Sequence, residues 1–181
     1  MGIETEVKIR IESTEDFIGR VVSHGAERAS ERSLEDNILF DFPDDSLQLA
    51  RCMLRVRSVA GRGVLTYKGA PLPDVMFKSR EELETNVENP ETAVEIFGRI
   101  GLRQRFRYQK YRQEFIFADV HIAVDETPIG NYAELEGTED GILSLAKKLD
   151  IAESRFIRLS YHALYLDYCR EREITPQSMV F

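Results

Sequence analysis

Ile3-Glu4-Thr5-Glu6-Val7-Lys8-Ile9-Arg10-Ile11-Glu12 alternates without a break. Ile3, Thr5, Val7, Ile9 and Ile11 fall on one side, and Glu4, Glu6, Lys8, Arg10 and Glu12 on the other. Successive side chains of an extended chain point to opposite faces, so a period of two over this run predicts a β-strand. Its second face is charged with both signs, and that face poses the question the rest of the chain answers.

Working outward, most of the chain reads as strand. Residues 34–42, 52–59, 64–68, 77–87, 105–118, 120–125 and 132–137 carry strand patterns, with Gly61 and Gly63 marking a hairpin between the second and third. Helices are predicted over 14–22, after a Ser13 or Thr14 cap and before Gly25, and over 90–100, where Pro90 suits the first helical position and Gly101 the end. A third helix is predicted over about 140–149 and a C-terminal one over 159–168, with residues 175–181 frayed. No repeat, low-complexity tract or linker interrupts the chain. One domain over residues 1–170 with a tail at 171–181 is expected.

The strands repeat the pattern of the first. Arg55 and Arg57 share a side, as do Lys78, Arg80, Glu82 and Glu84, then Lys110, Arg112 and Glu114, then Glu134 and Glu136, with Lys68 and Asp125 near strand ends. The opposite faces carry Leu54, Val56, Leu83, Val87, Phe115, Phe117 and Leu135. A charged face on one antiparallel strand is ordinarily a solvated face. Here both signs recur at i, i+2 on strand after strand, and the helices can cover the apolar faces from outside. The charged faces are therefore expected to turn inward around a common axis, since about eight strands close into a barrel that can hold one small ligand. Glu4, Glu6, Glu84, Asp125, Glu134 and Glu136 supply the hard oxygens that Mg²⁺ or Mn²⁺ prefers. Lys8, Arg55, Arg57, Lys68, Arg80, Lys110 and Arg112 supply a clamp for phosphate oxygens. A nucleoside triphosphate or inorganic tripolyphosphate with its metal ions satisfies both sets together.

These residues carry a family resemblance. Glu4-Thr5-Glu6-Val7-Lys8 resembles the N-terminal ExExK motif of the CYTH superfamily, the triphosphate tunnel metalloenzymes. The resemblance continues through Leu54-Arg55-Val56-Arg57, Leu65-Thr66-Tyr67-Lys68-Gly69, Arg80-Glu81-Glu82-Leu83-Glu84, Lys110-Tyr111-Arg112, Val124-Asp125 and Ile129-Gly130-Asn131-Tyr132-Ala133-Glu134-Leu135-Glu136. ExExK alone is a weak signal; the ordered set is a strong one. The Leu-Thr-Tyr-Lys-Gly and Arg-Glu-Glu-Leu-Glu stretches look most like the class IV adenylyl cyclase branch.

The resemblance implies an α+β fold: an eight-stranded antiparallel β-barrel, a tunnel open at both ends, with helices packed outside. It implies metal ligation by Glu4, Glu6, Glu134 and Glu136, with Asp125 and Glu84 assisting, and triphosphate contacts from Lys8, Arg55, Arg57, Lys68, Lys110, Arg112 and Arg80. Asn86 stands where related sequences often carry a third alternating acid, and Thr5, expected to face outward, where an apolar residue is common. Two reactions share this machinery. In a cyclase the ribose 3′-hydroxyl attacks the α-phosphorus of ATP and expels pyrophosphate; in a triphosphatase water attacks the terminal phosphorus of tripolyphosphate, thiamine triphosphate or a nucleoside triphosphate. Lys8, with Glu4 and Glu6, is the candidate catalytic group, as an acid/base if cations and burial lower its pKa or else as a fixed charge. The branch resemblance favours the cyclase.

Composition narrows the field. The 181 residues carry a net charge of -8, which argues against a nucleic-acid binder. Cys52 and Cys169 are too few for a disulfide framework, Cys52 being expected to pack and Cys169 to lie near an exposed end. No apolar run spans a membrane, and the stretch Met1-Gly2-Ile3-Glu4 lacks the regions of a signal peptide, so a cytoplasmic protein is expected. His24, His121 and His162 are scattered and read as structural or surface residues. Tyr161, Tyr165 and Tyr168 form a packing stripe at helical spacing, with gating of a tunnel mouth as the functional alternative. A non-catalytic ATP or polyphosphate sensor, a plain interaction domain and a homodimer complete the readings the sequence allows.

Overall fold

The computed structural model describes residues 2–73 and 76–181; Met1 of the N-terminal stretch lies outside them. The alternating run forms β1 (Gly2–Ile11). It is followed by α1 (Thr14–Ser23), β2 (Glu27–Arg28), β3 (Ser33–Asp41), the short α2 (Ser46–Leu49), β4 (Met53–Val59), β5 (Arg62–Lys68) and β6 (Lys78–Val87). Then come α3 (Pro90–Arg99), β7 (Arg103–Phe117), β8 (Val120–Thr127), β9 (Gly130–Glu136), α4 (Glu139–Lys148) and α5 (Tyr161–Glu171). The two-residue β2, the one-turn α2 and a 3-10 turn at Glu153–Arg155 carry no pattern long enough to be read in advance.

The helix starts obey one rule. Ser13, Asn89, Thr138 and Ser160 each accept a hydrogen bond from the backbone N–H three residues on, at 3.1, 2.8, 3.1 and 3.2 Å. Each satisfies a donor that the first helical turn leaves without a partner. Between β4 and β5 the turn residues Ala60 and Gly61 both have positive φ, 48° and 78°, the twist a two-residue hairpin needs. Gly63, just inside β5, has no room for a side chain: a Cβ there would meet Val87 Cγ2 at 2.4 Å.

All strand pairings are antiparallel, in the order β2-β7-β3-β4-β5-β6-β1-β9-β8 with β8 returning to β7. Without β2, a spur on β7, this is a closed eight-stranded barrel with helices outside it. Its hydrophobic core lies between the barrel wall and the helices. Val7, Ile9, Phe115, Ile122 and Leu135 point outward beneath Phe17 and Val21 of α1 and Ile142 and Leu145 of α4. On the far side Phe40 and Val56 pack under α3, with Phe97 edge-on to Phe40 at 5.2 Å. Burial of each such side chain stabilises by roughly 1.5–3 kcal/mol, so the outer faces hold the fold and the inner faces are left to charge. Thr5 faces outward as expected, its hydroxyl 2.9 Å from that of Ser79.

The C-terminal region departs from the sequence reading. Past α4 the chain pairs with β1, where Lys8 and Ile157 exchange backbone hydrogen bonds of 2.9 and 2.8 Å. From there α5 packs across one end of the barrel. Tyr161, Tyr165 and Cys169 join Phe106, Tyr108, Tyr132 and Met179 in one buried cluster. The expected opening at both ends is therefore replaced at this end by an aromatic plug. Residues 175–181 are not frayed: Met179 is buried and bridges to β7, its N–H donating to Arg107 O at 3.0 Å. Cys169 is buried rather than near an exposed end, and Cys52 is half-buried, accepting from the Tyr67 hydroxyl at 3.3 Å. Among the described residues no helix is long and apolar enough to cross a membrane.

Candidate active site in the barrel interior

Closure of the barrel brings the charged faces together around a cavity of about 380 Å³. Glu4, Glu6 and Lys8 reach it from β1, Arg55 and Arg57 from β4, Lys68 from β5, and Lys78, Arg80, Glu82 and Glu84 from β6. β7 adds Tyr108, Lys110, Arg112 and Glu114, β9 adds Glu134 and Glu136, and Tyr161 of α5 lies at the plugged end. Asp125 sits immediately behind this lining with no exposed surface. All the candidate residues expected from sequence thus converge on one place. Asn86 is exposed and does not line the cavity.

The charges are neighbours by register. Across β1 and β9, Glu6 faces Glu136 and Lys8 faces Glu134; across β1 and β6, Glu4 faces Arg80 and Glu6 faces Lys78. Lys8 Nζ lies 3.1 Å from Glu134 and 3.4 Å from Glu6. Lys78 also holds Glu6, at 2.8 Å. Lys68 takes Glu4 and Glu82, the latter at 2.8 Å. Glu84 accepts from Thr66, Arg57 and Arg55 at 2.6, 3.0 and 3.3 Å. Arg112 holds Asp125 at 2.7 Å and also pairs with Glu134.

Arg80 and Glu136 stand outside this lattice, and of the described residues Glu114 meets only the His121 ring, at 3.9 Å. Among the described residues, no carboxylate lies within ion-pair distance of Arg80, which is only 8% exposed and whose Nε has no hydrogen-bond partner. Among the same residues, no cation lies within that distance of Glu136, which is exposed at the open mouth. Arg55 and Arg57 each also leave a buried Nε without a partner. Buried donors of this kind are costly unless something accepts from them. The cavity is short of an anion at Arg80 and of a cation at Glu136.

Proton affinities follow the same division. Burial and the charges of Glu4, Glu6 and Glu134 push Glu136 up to about 7. Burial and a hydrogen bond that the protonated Glu82 carboxyl donates to Glu4 push Glu82 up to about 8. Burial opposes the charge of Lys8, but Glu134 and Glu6 outweigh it and hold the ammonium above the ordinary lysine range. Of the two readings of Lys8, the acid/base one needs a lowered pKa; the shift here is upward, because Glu134 and Glu6 outweigh burial. The lowered amine is Lys78, brought to about 8 by burial and by the charges of Lys8 and Arg80.

Several members of the site escaped the sequence reading. Glu35 of β3 is buried beside Arg57 (3.2 Å) and Lys110 (3.5 Å), which with Arg112 lower its pKa against burial. It was hidden because β3 carries a single inward acid, with Asn37 and Leu39 following it. Lys78 and Glu82 were visible on the charged face of β6 and went without a role. His121, read as structural or surface, lines the cavity with Nε2 3.9 Å from Glu114; the alternation His121, Ala123, Asp125 was the available signal.

A divalent cation fits the donor chemistry of the acidic end. Carboxylates raised by burial and by neighbouring acids are oxygens that a cation would satisfy, and Glu4, Glu6, Glu82, Glu134 and Glu136 all line the cavity. As paired here, no three acids converge as a ready coordination sphere among the described residues, so loading a metal means drawing glutamates away from lysines.

The CYTH domain model matches residues 2–159 of this chain. The chain belongs to the CYTH family. Its CYTH relatives include a Methanocaldococcus jannaschii protein named, provisionally, as an adenylate cyclase, 28% identical over 170 residues, 88% of this chain and 96% of that one. Among solved structures, a Vibrio parahaemolyticus protein, also provisionally named an adenylate cyclase, superposes with a TM-score of 0.76 at 22% identity, covering 90% of this chain and 97% of that one. The PH1012 protein of Pyrococcus horikoshii gives 0.76 at 24% identity, covering 89% and 98%. A Hippeastrum adenylyl cyclase homologue, described as having a dominant triphosphatase activity, gives 0.69 at 17% identity, covering 93% and 96%. At these identities the structural likeness establishes the CYTH barrel and no particular reaction.

Proposed function

We propose that the chain is a divalent-metal-dependent enzyme that binds a triphosphate inside the barrel and, like the class IV adenylyl cyclases it resembles, converts ATP to cyclic AMP and pyrophosphate. The observation that carries the triphosphate reading is that Arg80 and Glu136, in one cavity, have no ion pair among the described residues. A polyanion that arrives with its own cation answers both. The cyclase assignment is supported by the provisional name of the archaeal relative. A triphosphatase is the second reading, favoured by the activity described for the Hippeastrum homologue.

In this scheme Glu4, Glu6, Glu134 and Glu136 are the metal ligands, with Glu82 or Glu84 assisting from β6. Bound Mg²⁺ or Mn²⁺ would offset phosphate charge and acidify an attacking hydroxyl. Arg55, Arg57, Lys68, Arg80, Lys110 and Arg112 grip the phosphate oxygens, and their preset positions stabilise the charge that builds up on the leaving pyrophosphate. Lys8, held charged by Glu134 and Glu6, contributes a fixed cation. The barrel wall keeps bulk water from the phosphates, which strengthens each of these contacts.

The test is incubation of the protein with ATP or tripolyphosphate and Mg²⁺ or Mn²⁺, with products resolved by chromatography. Cyclic AMP with pyrophosphate is expected. Orthophosphate without cyclic AMP establishes the triphosphatase instead, and no turnover of either substrate overturns the assignment as an enzyme.

A further inference from the structure

We infer that Asn37 is a positioning residue: with Glu35 and Arg57 it binds an enclosed water behind the cavity wall, and that water holds Arg57 in the pose that grips phosphate. The role given to Arg57 rests on the triphosphate reading above. Asn37 has no exposed surface, and among the described residues neither atom of its amide has a hydrogen-bond partner. It follows Glu35 on the inward face of β3. The register sets it opposite Arg57 on β4 and Tyr108 on β7, both of which line the cavity.

Polar atoms without partners collect at this point. Asn37 Oδ1 and Nδ2, Glu35 Oε2, Arg57 Nε and Arg55 Nε are all buried with no hydrogen bond, and all belong to neighbouring positions of β3 and β4. The rest of each arginine is engaged. Glu35 Oε1 accepts from Arg57 Nη1 at 3.2 Å, and Glu84 Oε1 accepts from Arg57 Nη2 at 3.0 Å and Arg55 Nη2 at 3.3 Å. Buried polar atoms of this kind are costly unless something pairs with them.

The mixture of groups decides what that something is. Arg57 Nε, Arg55 Nε and Asn37 Nδ2 donate, while Glu35 Oε2 and Asn37 Oδ1 accept. Against burial, the charges of Lys110, Arg112 and Arg57 lower Glu35 to about 2, so its oxygen is anionic. A phosphate oxygen would suit the donors and be repelled by both acceptors; a cation would be repelled by the arginines. Water does both jobs. It can accept from Arg57 Nε and donate to Glu35 Oε2 and Asn37 Oδ1, and about three such bonds are usual for a buried water. A second water, donating to the first, answers Asn37 Nδ2 and Arg55 Nε. A bond at Nε fixes the plane of a guanidinium, and that plane is what gives arginine its directional grip on phosphate. When a triphosphate draws Arg57 away from Glu84, Glu35 and the water are left to hold its aim.

Two experiments test this. Crystal structures of the wild type with and without tripolyphosphate should both show a water within hydrogen-bond distance of Asn37 Oδ1, Glu35 Oε2 and Arg57 Nε. A phosphate oxygen on Asn37 in the complex, or an amide paired directly with protein atoms and no water, overturns the inference. Wild type, Asn37→Leu and Asn37→Ser are then titrated calorimetrically with tripolyphosphate in chelator. Leu fills the space and cannot hold water; Ser keeps a hydroxyl and leaves room for one. A loss of about tenfold or more is expected for Asn37→Leu, and rescue to within about threefold of wild type for Asn37→Ser. Wild-type affinity in Asn37→Leu overturns the inference, and so does an Asn37→Ser as weak as Asn37→Leu. Losses in both variants that simply follow a fall in Tm make Asn37 merely structural and overturn it equally. If Asn37→Leu does not fold, the crystal structures and Asn37→Ser still decide. Wild type that binds no tripolyphosphate sinks the triphosphate reading instead, and the water in the ligand-free crystal distinguishes the two failures.

Discussion

Arg80 shows most directly what single residues give up for the ligand. A guanidinium that is 8% exposed and without an ion pair among the described residues is a burden on the folded state. Arg80→Met keeps the stem and removes the charge. It should raise Tm, by an amount worth ~1 kcal/mol or more, while weakening tripolyphosphate binding at least tenfold. Thermal scanning and calorimetry on the same preparation check both halves; a lowered Tm would mean that Arg80 has a partner in the empty protein. Glu82 and Glu136 give a second prediction at this scale. Their folded-state pKa values, about 8 and about 7, lie above the ordinary 4.5, so the fold binds their protons more tightly than the unfolded chain does. Their contribution is therefore complete below about pH 4.5 and is lost as pH rises through 7 to 8. The lowered acids Glu6, Glu35 and Glu134 titrate below this window and stay ionised across it. Tm of the metal-free protein should fall between pH 5 and pH 8, and Mn²⁺ should abolish the fall by taking the place of the protons. A metal-free Tm that is flat or rising across that range would show that these carboxylates are not crowded together.

At the scale of elements, what was legible in the sequence and what was not have a common cause. Period-two alternation marked the barrel strands, because a strand between a helix-covered face and a charged interior must alternate. A cap, a first-position proline and terminal glycines placed α1 and α3, because a helix start must satisfy its first N–H groups locally or do without them. In the C-terminal region the cap rule reaches only the start of α5, at Ser160. Nothing in residues 175–181 encodes where Met179 goes, since its pocket is assembled by Phe106 and Tyr108 of β7 and Tyr165 of α5. Nor did residue type reveal whether Lys8 sits among cations or acids, which depends on β9 lying beside β1 in a given register. The plug is testable as an element. Truncation after Glu173 removes Met179 and its backbone hydrogen bonds to Arg107 and Gln109. Loss of a buried methionine costs about 2–5 kcal/mol, so Tm should drop by several degrees or more. Because α5 carries Tyr161, tripolyphosphate affinity should fall as well; an unchanged Tm would return the tail to the frayed state that its sequence suggests.

For the whole molecule, the interior is a set of exchanges waiting for two ligands. Apart from Arg80, each Lys or Arg lining the cavity is engaged by a resident carboxylate: Lys8 by Glu134 and Glu6, Lys78 by Glu6, Lys68 by Glu4 and Glu82, Arg55 and Arg57 by Glu84, Lys110 and Arg112 by Asp125. A metal that takes Glu4 and Glu6 frees Lys68 and Lys78 for phosphate. A triphosphate that takes those lysines frees the glutamates for metal. Each ligand removes a competitor of the other, so their binding must be positively coupled, and linkage makes the coupling equal in both directions. The expected size is the ordinary range of such couplings, about 5- to 150-fold. Calorimetric titration of tripolyphosphate with and without saturating Mn²⁺, and of Mn²⁺ with and without saturating tripolyphosphate, closes the cycle; because the two also associate in solution, free concentrations must be used. Glu6→Gln should shrink the coupling more than it weakens tripolyphosphate binding in chelator, because that change releases Lys78 without a metal. If tripolyphosphate binds equally well with and without Mn²⁺, the glutamates and lysines do not trade partners, and the two-sign wall would have to be explained as a rigid lattice into which substrate and metal fit separately.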